Sequence, residues 1–153
     1  MKNRRLLVLG LLAAVCSLTI AGSAQAQQKT AGRTLTIKLK YTGSGTVDDK
    51  HLIQVFLFDS TDFMTGGATP PLAIKTSASK SGAVTFSDLD KSPVFVSVVY
   101  DPQGGYNEVT GPPPSGSSLG LYAKTPGTPE PVKIEPGETA EIEIAFDDSY
   151  KMP

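Results

Sequence analysis

Between Thr34 and Lys40 apolar and polar residues alternate: Leu35, Ile37 and Leu39 fall on one side, Thr34, Thr36, Lys38 and Lys40 on the other. The same period of two returns near the C-terminus. There Ala140, Ile142, Ile144 and Phe146 alternate with Glu141 and Glu143. Successive side chains of a strand point to opposite faces, whereas a helix repeats every 3.6 residues. Both segments are therefore expected to be strands with one buried and one wet face. An apolar face of this kind must be covered by a second layer of structure.

Further strands are expected to supply that layer. Ile53–Phe58 places Ile53, Val55 and Leu57 on one face and Phe56 and Phe58 on the other, so both of its faces are expected to be partly covered. Leu72–Lys75 reads as a short edge strand, and Ala83–Phe86 as a strand with Val84 and Phe86 inward. Val94–Tyr100 is rich in β-branched and aromatic residues and is bounded by Pro93 and Pro102, which predicts a central strand. Leu119–Lys124 and Val132–Ile134 read as weaker strands. Gly- and Pro-rich stretches separate them: Thr42–Thr46, Asp59–Pro71, Ser79–Gly82, Pro102–Ser118 and Glu135–Glu138. This pattern predicts an all-β fold, an antiparallel β-sandwich of about seven strands.

The first residues point to export. Met1–Arg5 is basic, Leu6–Ile20 is apolar, and Ala24-Gln25-Ala26 fits the small-x-small cleavage rule. The apolar stretch is shorter than the roughly 20 residues of a spanning helix. The expected organisation is a signal peptide over 1–26, a polar lead-in over 27–34, a sandwich domain over 35–147 and a polar tail over 148–153. Cys16 reads as an ordinary apolar residue of the signal, not a lipid anchor, because apolar residues continue past it. Location is then periplasmic or secreted, with no membrane insertion after cleavage. Removing Lys2, Arg4 and Arg5 leaves 11 of the 14 basic residues against 15 acidic ones, a net charge of −4. An acidic domain of this kind argues against nucleic acid as a partner. The mature part has no cysteine, so no disulfide staples it.

Two stretches carry a family resemblance. Gly45-Thr46-Val47 followed by Ile53–Leu57 is similar to the opening pair of strands in prealbumin-like, or carboxypeptidase-regulatory-like, sandwich domains. Gly82-Ala83-Val84-Thr85-Phe86-Ser87-Asp88-Leu89, followed by Val94–Val98, resembles the hairpin of the same family. Pro93 stands where the family usually has Gly. The resemblance implies a prealbumin-like or immunoglobulin-like sandwich that serves as an accessory, adhesive or carrier-binding module. In that hairpin Gly82 is expected to take the turn, Val84 and Phe86 to enter the core, Asp88 to cap the turn and Leu89 to plug its underside. The related hydroxyisourate hydrolases need several histidines, and this chain has one.

That single histidine, His51, is the first candidate for chemistry, with Asp48 and Asp49 nearby in a segment that reads as a solvated turn. No Ser-His-Asp set can be assembled from these spacings. One His and no mature Cys do not make a zinc site. The Asp101–Glu108 loop offers Asp101, Gln103, Asn107 and Glu108 as oxygen ligands for calcium, with Asp147 and Asp148 as further donors. Gln103 and Gly105 occupy places where a calcium-loop pattern needs carboxylates. Gly111–Gly116, with three prolines, reads as an extended spacer or a polyproline segment for an aromatic groove. Tyr106 and Tyr122 flank it. Glu135, Glu138, Glu141 and Glu143 read as a solvated outer face.

The expectation is an exported, non-catalytic module that binds a protein or polysaccharide at the cell envelope, without a cofactor. Its binding face is expected in the Asp101–Tyr122 loop or over Phe56 and Phe58. Two alternatives stand beside it. One is a small calcium-dependent binder or hydrolase using the Asp101–Glu108 loop or His51. The other is a structural subunit of an envelope complex.

Overall fold

The computed structural model describes residues 32–65, 69–107 and 111–153. The expected signal peptide, Cys16, most of the lead-in and Glu108 lie outside them. Among the described residues seven strands form: β1 (Arg33–Tyr41), β2 (Ile53–Phe58), β3 (Ala73–Ser77), β4 (Ala83–Leu89), β5 (Phe95–Tyr100), β6 (Ser118–Leu121) and β7 (Thr139–Phe146). A short 3-10 turn at Asp62–Thr65 interrupts the loop after β2. No helix among the described residues is long and apolar enough to cross a membrane.

The strands make two sheets, a three-stranded one in the order β4-β1-β7 and a four-stranded one in the order β3-β2-β5-β6. The protein is therefore all-β, in an arrangement compatible with a β-sandwich. The period of two sets the register. Ile37 of β1 lies between Val84 of β4 and Ile142 of β7, and all three face the core. Ile53, Val55 and Leu57 of β2 and Val96, Val98 and Tyr100 of β5 meet them from the other sheet. Apolar burial of this kind is the main force holding the layers together.

The expectation of wholly antiparallel sheets is corrected at one pair. β1 and β7 run parallel over eight matched positions, from Thr34–Thr139 to Tyr41–Phe146. Parallel neighbours need a long crossover, and here it is the whole intervening chain, which carries β4 and the four strands of the other sheet. The expected hairpin is corrected as well. β4 pairs with β1, whereas β5 pairs with β2 and β6, so these two strands lie in different sheets. Between Gly82 and Leu89 the residue in the left-handed conformation is Asp88 (φ 55°), not Gly82. Gly82 instead continues the ladder beyond β4, its carbonyl accepting from Leu39 N–H at 2.8 Å.

Val132–Ile134 is not a strand. Val132 makes a single bridge to Val94, and both Val132 and Ile134 are buried in the core. The pairing stops at this bridge because the neighbouring groups bond elsewhere: the Val96 carbonyl accepts from Tyr122 N–H at 3.0 Å, Glu130 N–H donates to the Tyr122 carbonyl at 2.8 Å, and Ile134 N–H donates to the Ser92 hydroxyl at 2.9 Å. The lead-in ends sooner than expected, because β1 already begins at Arg33, whose guanidinium Nε donates to the Ile134 carbonyl at 2.8 Å.

Candidate functional site

The two outer faces of the molecule differ in kind. On the three-stranded sheet the outward residues include Thr36, Lys38, Thr85, Glu141 and Glu143, a wet face knit by a Lys38–Glu141 ion pair at 2.6 Å and a Thr36–Thr85 hydroxyl contact at 3.1 Å. On the four-stranded sheet the outward residues are mainly apolar, with Gln54, Thr76 and Ser97 among them. Phe56 and Phe58 of β2 and Val99 of β5 are buried there, against Phe63, Ile74, Phe95, Tyr106 and Leu119. The pairing explains the placement. Val98 faces the core opposite Gly120, so their neighbours Val99 and Leu119 face outward together.

This second apolar layer is only partly roofed. A cleft of about 830 Å³ lies over it. Phe56, Phe58 and Val99 form its floor. The loop after β2 contributes Met64 and Pro70, the loop before β6 contributes Pro112 and Pro113, and β6 contributes Leu119 and Leu121. The last wall is the C-terminal tail, through Tyr150 and Met152. Phe63 stacks on Phe58 with ring centroids 4.2 Å apart, and Tyr106 tilts over Phe56 at 6.4 Å, so Phe56 and Phe58 keep only 5% and 7% of their surface exposed. Among the described residues, no ionisable side chain other than tyrosine lines the cleft. Its volume and apolar lining are those of ligand-sized sites.

Of the residues expected from sequence to carry a binding face, Phe56, Phe58 and Tyr106 are thus brought together, along with Pro112 and Pro113 of the polyproline stretch. Tyr122 is not among the lining residues; it packs on the inter-sheet core instead. Leu119 and Leu121 fall within the expected Asp101–Tyr122 span, whereas Tyr150 and Met152 were not expected. The tail reads as polar overall, yet its two apolar residues are two apart, the spacing of one strand face. That was the available signal.

The candidates for chemistry lie at one end of β2. The His51 ring Nδ1 is 2.8 Å from Asp48 Oδ1, which also accepts the backbone N–H groups of Lys50 and His51 at 2.9 Å each. The His51 contact, followed by the Lys50 amide, holds the Asp48 carboxyl below the usual range. His51 does meet the Asp101–Glu108 loop. A Cβ on Gly104, itself at φ +74°, would lie 3.2 Å from the His51 ring and 2.6 Å from the Lys50 carbonyl oxygen. Asp49, Gln54 and Asp101 line a hollow of about 170 Å³ beside this loop. Asp101 is buried, and its Oδ1 accepts the Gln103 N–H at 2.9 Å, a turn within the loop. The Gln54 amide donates to the Tyr106 carbonyl, while its buried Oε1 has no partner among the described residues. Among the described residues, no three His, Cys, Asp or Glu side chains converge to hold a metal ion.

Asp148, expected as an extra donor for the Asp101 loop, is engaged elsewhere. It accepts four hydrogen bonds: from the Tyr41 hydroxyl at 2.6 Å, the Ser118 hydroxyl at 2.7 Å, and the Ser44 amide and hydroxyl at 2.8 Å each. These bonds, the Tyr41 one first, hold its carboxyl far below the usual range. Burial, and then the bond to Asp148, push the Tyr41 hydroxyl up to about 12. The network ties the end of β7 to the β1–β2 loop and to β6, and so fixes where the tail leaves the core. Asp147 contacts only Ser149 in the same turn.

No protein-family model, curated protein or solved structure matches this chain.

Proposed function

We propose that the chain is an exported, non-catalytic β-sandwich module of prealbumin-like type that binds a protein or polysaccharide at the cell envelope, with its ligand seated in the cleft over Phe56 and Phe58. One observation carries this reading: the outer face of the four-stranded sheet is mainly apolar and lines an 830 Å³ cleft, while the outer face of the other sheet is charged and hydroxylated. Concave apolar patches rimmed by polar surface mark interaction sites. Export rests on the basic, apolar and Ala-x-Ala order of the first 26 residues. A binding role without catalysis is supported by how the polar candidates are used. The His51 ring nitrogen is paired with Asp48, and Asp101 closes a turn of its own loop.

Thermal melts of the purified chain with the neutral dye Nile red and with a panel of envelope glycans test this. A ligand that binds only the folded state raises the melting temperature. The expected result is a saturable rise with the dye, and with any glycan that shares the cleft. A melting temperature unmoved by dye and glycans alike would contradict the reading.

A further inference from the structure

We infer that the cleft takes an extended peptide segment of a partner protein, which adds as a strand along the edge of β6 in place of the chain's own C-terminal tail. This rests on the reading of the cleft as the binding site, and chooses protein over polysaccharide.

Three observations carry it. First, the tail already binds in this mode. Leu119 N–H donates to the Tyr150 carbonyl at 2.9 Å, Met152 N–H to the Ser117 carbonyl at 2.9 Å, and Gly116 N–H to the Met152 carbonyl at 3.0 Å. Lys151 bridges Ser118 in antiparallel register, and the alternate residues Tyr150 and Met152 turn into the cleft. Main-chain pairing at an edge, with alternate side chains in pockets, is how extended peptides are recognised. Second, the edge adjoins the apolar floor: Leu119 and Leu121 of β6 line the same cleft as Phe56 and Phe58. Third, the described residues of the cleft lining include no acid or base, which favours neutral side chains at the positions that enter it.

The tail is held weakly enough to leave. Tyr150 keeps 61% of its surface exposed, so little apolar burial secures it. The backbone bonds it makes are of the kind an incoming strand makes equally well. Its removal would free the edge of β6 beside an apolar floor.

The test titrates the full isotope-labelled chain with a neutral, end-blocked pentapeptide, with threonine at its odd positions and phenylalanine and leucine at positions two and four. A control peptide carries serine at positions two and four. The dye Nile red is titrated in parallel, and all three titrations are repeated on the chain carrying Tyr150→Ser and Met152→Ser. The expected result is saturable amide shifts at Gly116–Leu121, at least tenfold weaker binding of the serine peptide, and several-fold tighter binding of the apolar peptide to the double variant. Dye binding without peptide binding would overturn the strand-addition proposal and leave the cleft as the site. Equal binding of both peptides, or shifts away from β6, would overturn it as well. Binding of neither dye nor peptide by a folded chain would overturn both.

Discussion

Asp148→Ala is expected to lower stability by about 3 kcal/mol, a fall of roughly 10 °C in melting temperature for a domain of this size. The carboxylate accepts four hydrogen bonds from groups on three separate segments: Tyr41 at the end of β1, Ser44 in the next loop, and Ser118 at the start of β6. Alanine removes their shared acceptor and leaves the Ser44 amide and three hydroxyls to pair only among themselves. Two of the residues that lose their partner, Tyr41 and Ser118, are almost wholly buried. Unmet buried donors cost more than a hydrogen bond contributes net. The effect should also show in the pH profile. Asp148 ionises far more readily in the folded chain than an ordinary carboxyl near 4 does in the unfolded one. Its contribution is therefore full above about pH 4 and is lost as the pH falls toward its folded value. Tyr41 shows the opposite sign. Its contribution is full below about pH 10 and is lost as the pH rises through about 12. Melts from acid to alkali should thus show the wild type losing stability at both ends, with the acid limb reduced in the variant. A variant that melts within 2 °C of wild type, with the same profile, would contradict this account of the tail anchor.

Leu121→Asp is expected to weaken Nile red binding roughly a hundredfold, about 2.7 kcal/mol, while Thr36→Asp on the opposite sheet leaves it within about twofold. Leu121 pairs with Ser97 on the outer side of the four-stranded sheet, and its side chain forms part of the cleft wall. A carboxylate there must lose water when an apolar ligand covers it, and among the described residues of the lining no basic side chain can pair with it. Leu121 is only partly buried and lies outside both clusters of buried apolar residues, so the fold should survive the change. Thr36 offers the matched control on a face that is already polar. Dye fluorescence titrations, with circular dichroism to confirm folding, read both variants. Equal affinities for the two would remove the cleft as the binding face.

Much of this fold is legible in the sequence because the information is local. Alternation at Leu35-Ile37-Leu39 and Ala140-Ile142-Ile144-Phe146 fixes both the strand and its buried face. The doubly apolar β2 betrays the second layer, since Phe56 and Phe58 have no place on a wet face. What alternation does not encode is which strand lies beside which. The parallel union of β1 with β7 joins residues about 105 apart in the chain, and no local pattern distinguishes it from an antiparallel one. The step of the chain from β4 in one sheet to β5 in the other was hidden for the same reason. A short turn between two strands reads as a hairpin whether or not they pair. The site was half legible. Phe56, Phe58 and Tyr106 stand out as aromatics near loops. Asp148 looks like an ordinary polar tail residue, because its partners Tyr41, Ser44 and Ser118 come from segments brought close only by the finished fold.

The central claim is that the outer face of the four-stranded sheet receives a ligand. Mapping amide chemical-shift changes on the folded chain as Nile red is added tests it most directly. The account predicts saturable changes at Phe56, Phe58, Val99 and Leu119–Leu121, with Thr36, Lys38, Glu141 and Glu143 unmoved. Changes centred on the latter set, or spread evenly over both sheets, would contradict it.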